Sequence, residues 1–140
     1  MKTKIESLAT FMAVAIWANG EYKEEEKVAV EEIAEAMELD KTAFNTAINN
    51  VLSNIKDLSA EEVSTRLAAA GNDVDDEEVG IVFECALQIV LADSMLEYDE
   101  VTNLLAIADA LGLDEAYAVL MLADMLKEEN DIEISFGEEE

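Results

Sequence analysis

Carboxylates are the side chains through which this chain can do chemistry. It carries 34 Asp and Glu against eight Lys and Arg, has no His, and holds one Cys, Cys85. Without His there is no Ser-His-Asp triad, no Cys-His dyad and no imidazole ligand for zinc. A lone Cys supplies neither an internal disulfide nor a thiolate metal cage. Cys85 sits on a helical stretch beside Phe83 and Ala86 with no base near it, which predicts a buried structural thiol. Carboxylates alone can hold hard cations such as Ca²⁺ or Mg²⁺, cap helix N-termini, or meet a basic protein partner. No catalytic site is expected, because a chain this acidic places carboxylates in pairs by composition alone. The net charge of −26 repels polyanions at long range, so direct nucleic-acid binding is not expected.

Two eight-residue stretches concentrate the acidic chemistry. They are Asn19-Gly20-Glu21-Tyr22-Lys23-Glu24-Glu25-Glu26 and Asp93-Ser94-Met95-Leu96-Glu97-Tyr98-Asp99-Glu100. Each follows an apolar helix and enters an amphipathic one. Tyr22 or Leu96 plugs each turn into the core. Residues 1–70 hold 13 acids and seven bases, whereas residues 71–140 hold 21 acids and the single base Lys127. Asp93, Glu97, Asp99 and Glu100 are therefore the better cation candidates, with Asn19, Glu25 and Glu26 as their counterparts. Plain capping competes with that role: an acid in the first turn of a helix stabilises it by about 0.3–1 kcal/mol without any ligand. Glu26 and Glu100 are placed to reach back to the residue opening each stretch or to free backbone amides. Asp73-Val74-Asp75-Asp76-Glu77-Glu78 is no EF-hand, because Glu78 stands where that loop needs Gly.

The elements that position these stretches are helical almost throughout, by the three-and-four spacing of apolar residues. The first helix covers about Lys4–Ala18, with Ile5, Leu8, Met12 and Ile16 on its inner face; the second covers about Lys23–Glu38. Asp40 caps the third. Ser59 and Glu62 match a capping box, so the fourth runs from there to Gly71. The fifth spans about Asp76–Ala92, the sixth Tyr98–Leu111, and the seventh runs from the Asp114 cap to about Lys127. Met121 and Met125 are core filler or line a partner-facing groove. Ile132, Ile134 and Phe136 alternate, so the tail is expected to dock as a short extended segment. The longest charge-free run, Ser7–Gly20, has 14 residues, short of the ~20 a membrane span requires. A similar helix recurs in mid-chain, so the first is read as a core helix rather than a secretory signal, and the protein as cytoplasmic.

The chain also repeats itself. With a shift of 74 residues and no gap, Ala18 meets Ala92, Asn19 meets Asp93, Glu26 meets Glu100, Ile33-Ala34 meet Ile107-Ala108, and Leu39-Asp40 meet Leu113-Asp114. The expected architecture is one all-α domain of two pseudo-repeated three-helix halves sharing one core: about residues 4–57 and 75–131, a linking helix over 58–72, and an acidic tail over 132–140.

Ala15-Ile16-Trp17-Ala18-Asn19-Gly20 with Glu25 or Glu26, Ala92-Asp93-Ser94 with Asp99-Glu100, and Ala108-Asp109-Ala110-Leu111-Gly112-Leu113-Asp114 resemble the motif of the TerB family of tellurite-resistance proteins and the N-terminal domain of DjlA-type co-chaperones. The resemblance covers nearly the whole chain through short motifs. Asn19 replaces the family's usual Asp, and Ser94 its usual Gly. The resemblance implies a non-enzymatic stress-response module that binds partner proteins, with divalent cations at the acidic turns. Two other readings belong to different classes: an acidic mimic of nucleic acid that occupies a basic protein, and an acyl-carrier-like protein modified at Ser94, since Asp93-Ser94-Met95 is similar to the carrier Asp-Ser-Leu.

Overall fold

A helix that is almost wholly apolar has little to present to water, and the fold is built around two of them, each with a single charged residue, Glu6 and Glu84. The computed structural model describes residues 3–17, 22–92, 95–128 and 132–135. Within these the chain forms seven helices: α1 (Ile5–Trp17), α2 (Glu24–Ala36), α3 (Lys41–Ile55), α4 (Ala60–Gly71), α5 (Val79–Val90), α6 (Tyr98–Ala110) and α7 (Glu115–Glu128). Two three-residue strands, β1 (Met95–Glu97) and β2 (Glu133–Ser135), accompany them. The all-α class holds.

α1 lies at the centre, against α3, α4, α5 and α6. Leu8, Ala9 and every residue from Phe11 to Ile16 are buried. The sequence predicts one inward face; the surrounding helices bury α1 on all sides from Phe11 to Ile16, the stretch without a polar side chain. α5 is the second such helix, with Val82, Phe83, Cys85, Ala86, Leu87, Ile89 and Val90 buried. Each large side chain withdrawn from water contributes about 1.5–3 kcal/mol.

α2 and α6 are each 13 residues long and begin and end 74 residues apart. Their ends are built alike. Glu38 (φ 59°) and Gly112 (φ 77°) take the left-handed conformation. The Leu39 N–H donates to the Ala34 carbonyl at 2.7 Å, and the Leu113 N–H to the Ala108 carbonyl at 2.9 Å. This is the Schellman closure, which satisfies carbonyls left over at a helix end. Asp40 then caps α3 by accepting from the Ala43 N–H at 2.9 Å. α4 opens on the expected capping box and closes against α6 at Gly71, where a Cβ would lie 2.1 Å from the Ala110 carbonyl oxygen.

Two local expectations are corrected. α5 starts at Val79, not Asp76. Asp75 accepts from the Glu77 N–H at 2.9 Å, holding residues 75–78 as a turn, and Glu78 accepts from the Thr3 N–H, also at 2.9 Å. The second acidic stretch is not only a turn: β1 pairs in parallel with β2, Leu96 opposite Ile134. Glu133–Ser135 are thus extended, in keeping with the strand-like segment expected there; Phe136, the third residue of the alternation, lies outside the described residues. The partner strand was not foreseen, since the pairing joins residues far apart in sequence.

Candidate functional site

The acidic turns are fixed by the glutamates that close them. Glu26 and Glu100, each 1% exposed, are the buried acids of the described residues. Both are third residues of a helix. The Lys23 N–H donates to Glu26 Oε1 at 2.7 Å, and the Glu97 N–H donates to Glu100 Oε1 at 2.8 Å. This is the glutamate half of a capping box, where the side chain satisfies the N-cap amide. The same bond recurs in the open at α4, where the Ser59 N–H donates to Glu62 Oε1 at 3.0 Å. There the Ser59 backbone and hydroxyl bonds hold the Glu62 carboxyl below its usual range.

Around the two buried glutamates the other described candidates stay near water. Glu25 and Asp99 are exposed and Glu97 is half-buried. Asn19, Asp93 and Ser94 lie outside the described residues. Among those described, no three acids or thiols converge as metal ligands do. The structure therefore brings Glu26 and Glu100 to equivalent backbone amides and leaves Glu25 and Asp99 facing solvent one residue earlier.

The plugs of the two turns differ. Leu96 is buried at 3% exposure. Tyr22 is half-buried, and its hydroxyl donates to Asn45 Oδ1 at 2.7 Å. Burial pushes the phenol up to about 12, with the Glu26 and Glu31 carboxylates adding to the shift. The Lys27 Nζ sits 5.5 Å from the Tyr22 ring centroid, within cation–π reach. Burial, with Glu84 adding, pushes the Cys85 thiol up to about 11. It therefore stays protonated at neutral pH, and the thiolate is the nucleophilic form.

The least enclosed apolar surface is on α7. Ala118 is its one buried side chain. Tyr117 is 48% exposed, Val119 48% and Leu120 69%. Met121, Leu122, Met125 and Leu126 are half-buried at the edge of the core. The sequence reading singled out the methionines and missed Tyr117, Val119 and Leu120. Their uninterrupted run with Ala118 was the available signal, because an amphipathic helix packed on one face interleaves such residues with polar ones.

No described helix is long and apolar enough to cross a membrane. Comparisons with family models, with curated proteins and with solved structures return no match for this chain.

Proposed function

We propose that the chain is a non-enzymatic binding module of the TerB-like kind, two copies of a three-helix unit in one domain, that serves a tellurite-type stress response by docking a basic protein partner. The observation that carries the docking role is α7. A helix whose Tyr117, Val119 and Leu120 face water beside half-buried methionines gains by covering them. The duplicated unit is supported by α2 and α6: equal lengths, equivalent buried glutamates, and the same closure at both ends, all 74 residues apart. Polyanionic charge selects a basic partner and speeds its encounter.

The test is site-specific photo-cross-linking in the native cells from position 120, with the exposed position 61 on α4 as reference. The expected result is a discrete protein adduct from 120 that 61 does not give. Equal or absent labelling at both positions would overturn the reading.

Cation binding is the second reading, favoured by the matched exposed pair Glu25 and Asp99 beside the buried glutamates. Hard cations take oxygen ligands of this type. Calorimetric titration with Ca²⁺ and with Mg²⁺ is expected to give saturable heat that Glu97→Gln with Asp99→Asn weakens. Flat titrations of the unaltered protein would remove the cation and leave the docking role standing.

A further inference from the structure

Between α2 and α5 runs a groove of about 560 Å³, within the ~300–1,000 Å³ typical of ligand clefts. Val28, Ala29, Leu91 and Met125 give it an apolar lining. Val28 points into it while 49% exposed, an unusual place for a β-branched apolar residue on an otherwise acidic helix face. Glu25 and Glu32 flank it on α2, and Glu84 faces them from α5. No base is among its described lining residues, and Lys27 on α2 is turned to the Tyr22 ring.

The spacing of the acids identifies the shape of an occupant. Glu25 and Glu32 are seven residues apart on one helix, about 10.5 Å along its axis. A second helix laid alongside repeats its own side chains at that interval, so cations at i and i+7 meet both carboxylates. Its apolar stripe then seats on Val28 and Met125, and a cation on its other flank meets Glu84. Nucleic acid is repelled by the same rim.

We propose that this groove docks a basic amphipathic helix of a partner protein, its apolar stripe on Val28, Leu91 and Met125 and its lysines or arginines on Glu25, Glu32 and Glu84. The assignment rests on the docking reading above for its basic protein partner, and it adds to the α7 face a second contact and the partner's secondary structure. α7 contributes Met125 to the groove, while Tyr117 and Leu120 lie outside its lining.

The probe is a synthetic Leu/Lys helix of about five turns, compared with a Leu/Glu helix of the same apolar pattern. Both are titrated at about 0.15 M salt, where the Debye length is about 8 Å and distant charges are largely screened. Methyl resonances of Met125 and Val28 are expected to shift with the Leu/Lys helix and not with the Leu/Glu helix. Val28→Lys, and separately Glu25→Lys with Glu84→Lys, should each weaken binding by about tenfold or more, a loss of about 1.4 kcal/mol. Glu61→Lys with Glu77→Lys removes as much negative charge elsewhere and should leave affinity within about twofold. Equal weakening by the two double variants would reduce the binding to general charge attraction and overturn the proposal. So would a dimer of the free protein that Val28→Lys dissociates, since the occupant would then be a second copy. Binding that perturbs Tyr117 and is lost in Leu120→Lys would overturn the groove and leave docking through α7 intact. No binding by either peptide would overturn the groove and leave the α7 docking role to the cross-linking test above.

Discussion

A buried glutamate and an exposed one make the same bond in this protein, and they should behave differently. Glu26 and Glu100 close the Lys23 and Glu97 amides inside the structure, while Glu62 closes the Ser59 amide at the surface. Removing a buried acceptor leaves its donor unsatisfied, at a cost of about 1–3 kcal/mol. Glu26→Ala and Glu100→Ala are each expected to destabilise by that much in urea melts, and Glu62→Ala by clearly less, because water replaces its bond. The exposed site carries the pH signature. Its carboxyl is held below its ordinary value of 4.5 in the fold, so the folded state favours the charged form. That contribution is present above the unfolded-state value and is lost as pH falls through the folded one. The stability difference between the unaltered protein and Glu62→Gln should therefore shrink as melts are moved from neutral pH to below pH 4.5. A difference constant across that window would mean that the bond to Ser59 does not favour the carboxylate.

Helix ends and helix crossings set the next scale. The two Schellman closures use different residues for one backbone shape: Glu38 at φ 59° and Gly112 at φ 77°. A non-Gly residue in the left-handed region costs about 1–2 kcal/mol, offset in part by the entropy Gly loses on folding. Glu38→Gly is thus expected to stabilise by up to about 1 kcal/mol, and Gly112→Ala to destabilise by about that amount; thermal melts of the pair would show opposite signs. Gly71 is required for a different reason, since α4 meets the Ala110 carbonyl there with no room for a Cβ. Gly71→Ala should cost about 1–3 kcal/mol or more, as overpacking does when only backbone can yield. α2 and α6 were legible from their acidic first turns and apolar spacing, which are written within a few residues of where they act; the left-handed Glu38 that ends α2 carries no such signal. What was not legible depends on neighbours. α3 and α7 carry similar apolar spacing, yet α3 buries Phe44, Ile48 and Ile55 while α7 buries Ala118 alone, because α3 lies along the central α1 and α7 lies mainly on α6. The pairing of β1 with β2, and the groove beside Val28, likewise arise from segments that sequence distance keeps apart.

At the scale of the whole molecule, self-repulsion governs the electrostatics. A net charge of −26 on 140 residues opposes compaction, and eight bases can form few attractive pairs to offset it. The Lys41–Glu35 contact at 3.5 Å is solvent-exposed, and such pairs contribute about 0–1 kcal/mol. The fold tolerates the charge because the core excludes it: α1 and α5 bury apolar side chains, and the two buried acids are held by backbone amides. The unfolded chain spreads the same charges farther apart, so repulsion weighs on the folded state more. Screening should then act as a stabiliser. Raising NaCl from about 0.01 M to about 0.5 M cuts the Debye length from about 30 Å to a few Å, and the thermal midpoint is expected to climb by several degrees, most steeply at the low-salt end where screening first reaches neighbouring helices. An apolar salting-out effect would instead grow with added salt and be far stronger with sulfate. A midpoint that stays level or falls across the low-salt range would mean that the carboxylates are already neutralised in the folded state, by bound cations or by protonation, and would shift weight from the docking role toward the cation reading of the acidic turns.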